Sequence, residues 1–102
     1  MIYYHKGTPI NLQATVDPGE NETTEEIKWY LNNILISTPL IQEQITIDTT
    51  PLNTGEHKIS ITAKNSCGNT SDEYSNIFYI TEVNMIKEIS VLVNQPIVNV
   101  TV

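Results

Sequence analysis

The residues of this chain that could carry out chemistry are few and widely spaced. Two histidines, His5 and His57, and one cysteine, Cys67, are present. A zinc site needs several His, Cys or carboxylate ligands at short spacings, and nucleophilic catalysis needs a nucleophile beside a base. The histidines show neither arrangement. We therefore expect no catalytic residue, no metal ligand and no cofactor site, and we predict that the chain is not an enzyme.

The simpler interpretation of His57 is a histidine packed in or beside the core, with its ring nitrogens hydrogen-bonded. Cys67 has no second cysteine with which to form a disulfide within the chain. It follows a predicted strand and lies in a predicted turn, where we expect an unreactive thiol.

Acidic residues after the first well-defined strand are the remaining candidate for a metal site. Carboxylate oxygens bind calcium, but a dedicated calcium loop alternates Asp or Asn and contains a fixed glycine. This loop has neither feature, so a solvated loop is the favoured interpretation. The acidic residues concerned are Asp17, Glu20, Glu22, Glu25 and Glu26, and a weaker second candidate is formed by Asp72 and Glu73.

The charge of the chain bears on its partners. Twelve acidic and five basic residues give a formal net charge of −7 over 102 residues. Nucleic acids and anionic membranes are bound through clusters of Lys and Arg, which are absent here, so neither is an expected partner. The start of the chain has no secretory leader, and no apolar run is long enough for a transmembrane helix. These features predict a soluble cytoplasmic protein or one domain of a longer exported chain.

The stretch from Thr54 to Gly68 organises the predicted fold. Apolar residues and His57 alternate with polar ones, and turn residues mark both ends, which is typical of a half-buried antiparallel strand. Further alternating runs recur about every ten residues, separated by turn signals such as Asp17-Pro18-Gly19 and Asn32-Asn33. The other predicted strands are Ile2–His5, Ile10–Val16, Ile27–Leu31, Ile34–Ser37, Gln42–Asp48 and Tyr74–Val83.

Branched side chains dominate these runs and favour strands over helices. We therefore predict an all-β sandwich of about seven strands over residues 1–83, with Trp29 in the core, where it packs across the two sheets against Ile59 and Ile61. A thin two-layer domain of this size has little room for a deep pocket.

Residues 84–102 lie beyond the seven predicted strands. Alternating apolar residues predict strands over 86–93 and 97–102, and Gln95-Pro96-Ile97 echoes Thr8-Pro9-Ile10. Three interpretations remain open: the tail begins a second copy of the module, adds strands to this sheet, or adds them to the sheet of a neighbour.

Gly55 to Asn65, followed by Gly68, resembles the late-strand motif of PKD-type and related bacterial immunoglobulin-like domains. Trp29 resembles their central tryptophan, and the similarity covers residues 8–81. The sequence departs from the PKD pattern after Trp29, where Tyr30-Leu31-Asn32-Asn33 replaces an aromatic, glycine and acid run, and at His57, where an aromatic is usual. The resemblance implies an immunoglobulin-like Greek-key β-sandwich that acts without catalysis as a spacer, an adhesion module or a virion or cell-surface building block.

Among these roles we expect a phage virion protein that decorates a capsid or tail and binds neighbouring protein subunits by its sheet edges and C-terminal strands. Two alternatives are a repeat of a secreted or cell-surface adhesin and an accessory domain of a secreted hydrolase. Carbohydrate on a host surface is a further possible partner. No cofactor is expected for any of the three.

Overall fold

The computed structural model describes residues 2–36, 41–82 and 97–102. In these ranges the chain forms eight strands and no helix. The strands are β1 (Tyr3–His5), β2 (Ile10–Asp17), β3 (Thr24–Leu31), β4 (Ile34–Leu35), β5 (Gln44–Ile47), β6 (Gly55–Asn65), β7 (Tyr74–Thr81) and β8 (Ile97–Thr101). The strand predicted over 86–93 lies outside the described residues.

One sheet contains five strands in the order β1-β7-β6-β3-β4. The predicted organising strand is β6, which lies at its centre and pairs antiparallel with β3 and β7. Trp29 of β3 is the register partner of Ile61. The predicted packing of Trp29 across the sheets against Ile59 and Ile61 is therefore wrong, because β3 and β6 are neighbours in one sheet. Strand β1 runs parallel to β7 at one edge, and the two-residue strand β4 forms the opposite edge.

The second sheet contains three strands in the order β5-β2-β8. Strand β2 pairs antiparallel with β5 and parallel with β8, in a register that runs from Gln13 opposite Ile97 to Asp17 opposite Thr101. Three interpretations of the tail were open. In the structure, residues 97–101 add a strand to a sheet of this same chain.

The two sheets share one apolar core, which confirms an all-β chain with sandwich-like layering. Trp29 is buried as predicted, with 1% of its surface exposed. The five-stranded sheet contributes Tyr4, Ile27, Trp29, Ile59, Ile61, Ala63, Phe78 and Ile80, and the three-stranded sheet contributes Ile10, Leu12, Ala14, Ile47 and Val100. Because successive side chains of a strand point to opposite faces, each alternating run supplies one buried row.

Strand β3 begins earlier than predicted. The sequence placed Glu25 and Glu26 in a loop, but β3 starts at Thr24 and pairs there with Asn65, with a register shift before Glu26. The backbone of β6 is long enough to pair with these residues. On the side of β3 away from β6, the described part of the chain places no strand beside Glu25 and Glu26, because β4 pairs only with Tyr30 and Leu31. Charged side chains are common at such an edge because water solvates them.

The predicted Asn32-Asn33 turn is confirmed. Both asparagines have positive φ, 51° at Asn32 and 68° at Asn33, and they connect β3 to β4 as a two-residue hairpin. Positive φ at both central residues matches the right-handed twist of the flanking strands.

Candidate functional site

His57 is a structural residue in this fold. It begins the buried row of β6, is 8% exposed, and its ring stacks on Phe78 at a centroid distance of 5.5 Å. Its Nε2 lies 2.7 Å from the carbonyl oxygen of Asn53, and its Nδ1 lies 2.9 Å from the side-chain nitrogen of Asn32. Both ring nitrogens therefore have partners, as the simpler interpretation of this residue predicted.

His5 and Cys67 lie apart from His57. The Nδ1 of His5 is 2.9 Å from the carbonyl oxygen of its neighbour Lys6. Cys67 is exposed in the turn after β6, where its backbone N–H donates to the Oδ1 of Asn65. Across the described ranges, no group of three or more His, Cys, Asp or Glu side chains is arranged to hold a metal ion.

Three of the five acidic loop residues have separate partners. Asp17 accepts a hydrogen bond from the N–H of Gly19, which closes the predicted turn. Glu22 accepts one from the hydroxyl of Ser66 at 2.8 Å, and Glu26 lies 3.4 Å from Lys28. In the weaker pair, Glu73 lies 3.7 Å from Lys58. These carboxylates point to different partners, so the geometry favours the solvated loop over a calcium site.

Two buried polar residues hold loops together and were not singled out from the sequence. Asn65 accepts hydrogen bonds from the N–H groups of Cys67 and Asn69 and donates to the carbonyl of Pro18 at 2.9 Å. The burial of Asn65 could have been predicted, because Asn65 lies two residues after Ala63 and so continues the row of inward-facing side chains of β6. Thr49 is fully buried between loops, and its hydroxyl accepts from Gly7 and donates to Thr8. We find no sequence signal that marks Thr49.

The interlayer space between the sheets is small. A cavity of about 20 Å³ is lined by Trp29, Phe78 and Val98 among other core residues, which is room for about one water molecule. A shallower polar groove of about 380 Å³ lies where β2 passes the start of β5, lined by Gln13, Thr15 and Glu43. The Oε2 of Glu43 accepts a long hydrogen bond from the N–H of Val16 across this groove.

The largest departure from an ordinary surface is at β4. Ile34 is 68% exposed, Leu35 is 51% exposed, and the next residue, Ile36, is exposed as well. We call these three residues the β4 edge patch. Among the residues that the structure describes, β4 is the last strand of its sheet. The N–H of Ile36 continues the pairing by donating to the carbonyl of Trp29 at 2.9 Å. The sequence predicted a strand here, but not its exposure.

Natural edge strands usually carry charges, prolines or bulges that prevent pairing with other chains. Residues 34–36 carry none of these. Exposed apolar residues gathered at one place mark an interaction surface more often than residues scattered singly do. The β4 edge patch is therefore the candidate functional site.

Together these features define the class: an all-β domain of two sheets with an apolar interlayer and an apolar sheet edge. Within the described ranges, no helix has the length and apolar character needed to cross a membrane. No family model matches the chain, and the comparisons with curated proteins and with solved structures also give no match. The resemblance to PKD-type and immunoglobulin-like domains therefore stays a prediction.

Proposed function

We propose that this chain is a non-enzymatic interaction module that binds neighbouring protein subunits through its sheet edges. The observation that carries the proposal is the β4 edge patch, three consecutive exposed aliphatic residues that form and follow the short edge strand β4. A partner strand that pairs there gains main-chain hydrogen bonds and covers the apolar side chains, which is the recognition mode called β-augmentation.

We also propose that the sandwich is of the immunoglobulin-like Greek-key type. Two features support this assignment. Trp29 is buried on β3 beside the central strand β6, and β2 and β5 belong to the opposite sheet. The fold alone does not specify a function, so the proposed function depends on the edge and not on this family.

The setting that we propose is the surface of a phage capsid or tail. Such a particle presents many copies of one subunit at fixed spacing, so that contacts through short edges add up by multivalency. A second setting, a repeat of a secreted or cell-surface adhesin, is favoured by the similarity of Gln95-Pro96-Ile97 to Thr8-Pro9-Ile10. A tandem array would contain such a motif at the start of each repeat.

The test of edge binding compares charge substitutions at two edges. We expect I34K/I36K to reduce binding to purified particles encoded by the same genome by about 100-fold or more, because two charges would be desolvated in the interface. Exposed Gln44 and Thr46, both on β5, give the matched control Q44K/T46K. Thermal unfolding verifies that both variants fold.

Equal binding by both variants would overturn the proposed role of the β4 edge patch. Absence of the chain from the purified particles, measured by mass spectrometry, would overturn the virion setting. Its detection in a cell-surface fraction, within a longer product, would then support the adhesin setting.

A further inference from the structure

Strand β8 occupies a slot formed by the rest of the chain. It lies at the edge of the three-stranded sheet and, within the described ranges, pairs with β2 alone. Val100 is 1% exposed, and Val98 and Val102 pack against the core from positions two residues to either side. The N–H of Val102 extends the pairing by donating to the carbonyl of Asp17 at 3.0 Å.

The slot recognises β8 by two means that do not depend on which chain supplies the strand. One is the row of backbone groups along β2 from Gln13 to Asp17, and the other is the apolar interlayer that receives Val100. A strand from a second copy would make the same contacts. The difference between the two arrangements then lies in chain entropy and protein concentration, which is why strand exchange is a low-cost route to dimers.

The distribution of charge permits a second copy at this edge. The chain has a net charge of −7, but residues 7–16 and 89–102 contain no charged side chain. Strands β2 and β8 therefore meet in an uncharged part of an acidic molecule. Within β2 itself the first charged residue is Asp17, although the carboxylate of Glu43 lies beside the N–H of Val16. Charge therefore permits a second copy at this edge, as it does at the β4 edge, where residues 29–42 are also uncharged.

The length of chain before β8 permits the exchange. Strand β7 ends at Thr81 in the opposite sheet, and β8 begins at Ile97. Sixteen residue steps span at most about 55 Å when extended. This exceeds the two shorter dimensions of the molecule, 23 and 19 Å. A strand on this length of chain can reach the β2 edge of an adjacent copy.

From these observations we propose that β8 is exchanged between copies, so that β8 of one copy pairs with β2 of a second copy and the reverse. Exchange is favoured where copies are concentrated. The inference deepens the proposed function by naming a second copy as one partner, and it concerns the β2 edge instead of the β4 edge patch.

Engineered disulfides distinguish exchange from pairing within one copy. Thr15 and Asn99 are register partners whose exposed side chains share the outer face of the sheet. On a Cys67→Ser background, Thr15→Cys is placed in one preparation and Asn99→Cys in another. The two are mixed, unfolded, refolded together at high concentration and oxidised. Asn11→Cys replaces Thr15→Cys in the control, because exposed Asn11 is the register partner of Thr46 on β5 and not of a β8 residue.

We expect the Thr15→Cys and Asn99→Cys mixture to give covalent dimers at least about 100-fold faster than the control mixture, since exchange holds the two thiols at a high effective concentration. A single chain that carries both Thr15→Cys and Asn99→Cys tests the alternative, in which β8 pairs with β2 of its own copy. An intrachain disulfide in that chain, with no more dimer in the mixture than in the control, would overturn the proposal.

Light scattering of the unmodified chain separates this proposal from the proposed function. Strand exchange predicts a dimer that forms on refolding at high concentration and persists in I34K/I36K. A dimer that is lost in I34K/I36K would assign self-association to the β4 edge patch and overturn exchange. A dimer that persists while particle binding fails would support exchange and count against the virion setting.

Discussion

The side chain of Asn32 is held against His57, with its nitrogen 2.9 Å from Nδ1 of the imidazole. The Oδ1 of the same amide accepts a hydrogen bond from the N–H of Lys58 at 2.9 Å, which directs the amide nitrogen towards the ring. The ring therefore accepts at Nδ1 and donates from Nε2 to the carbonyl of Asn53. Asn32, whose positive φ suits the turn, therefore also holds the buried ring of His57 by a hydrogen bond.

The first prediction isolates this amide. Asn32→Gly keeps the positive φ but removes both hydrogen bonds and leaves Nδ1 of His57 buried without its partner. We expect a loss of about 1–3 kcal/mol in the free energy of unfolding, measured by urea denaturation. Asn33→Gly is the control, because Asn33 has positive φ and is exposed. Equal effects of the two substitutions would show that only backbone conformation matters at Asn32.

The second prediction concerns the centre of the core. Trp29→Ala is expected to lower the free energy of unfolding by about 3–5 kcal/mol, because it removes the largest fully buried side chain. Trp29→Phe keeps most of the apolar area but loses the hydrogen bond from Nε1 to the carbonyl of Gln42. Its cost is expected to be smaller. A loss below about 1 kcal/mol for Trp29→Ala is inconsistent with a core position.

The third prediction tests whether β8 belongs to the core in solution. Val100→Ala removes two buried methyl groups, so we expect a loss of about 2 kcal/mol from apolar burial. The neighbouring exposed Asn99 gives the control Asn99→Ala, for which a change within about 0.5 kcal/mol is expected. If chemical denaturation shows the same stability for both variants, β8 does not cover the core.

The fourth prediction concerns pH. The hydrogen bond that the Tyr79 hydroxyl donates to Glu56 raises the pKa of Tyr79, with smaller contributions from burial and from the charges of Glu56 and Tyr3. The folded state favours the protonated phenol. Its contribution to stability is therefore fully present below the tyrosine pKa of the unfolded chain and is lost as pH rises through the folded pKa.

Tyrosinate absorbance measures this shift. We expect Tyr79 to ionise at higher pH than a tyrosine of the unfolded chain, and Tyr79→Phe to remove that late step. Glu56→Gln is expected to lower the pKa of Tyr79 because it removes the carboxylate charge. An unchanged titration curve in Glu56→Gln would assign the late step to another tyrosine.

Much of the local structure was predictable. Strands β2, β6 and β7 follow from alternating apolar residues, and the positive φ of Asn32 and Asn33 follows from the residue type at a two-residue turn. The buried position of Trp29 also follows from its place in an alternating run. These features depend on neighbours within a few residues, so the sequence contains what is needed to predict them.

The candidate site was less predictable. Ile34, Leu35 and Ile36 form an apolar run that, read locally, suggests a buried strand. Whether such a strand is covered depends on its place in the sheet, and β4 is the outermost strand. The burial of Thr49 was hidden for a related reason, since its partners Gly7 and Thr8 come from a distant loop.

The sequence by itself determined which side of each strand is apolar, because successive side chains alternate in direction and the steric limits that impose this are local. The tertiary structure decided which strands are neighbours. The parallel pairing of β8 with β2 was one of three arrangements compatible with the same alternating tail. Any uncovered β edge offers the same backbone donors and acceptors, so the choice among edges depends on the apolar surface that each arrangement buries.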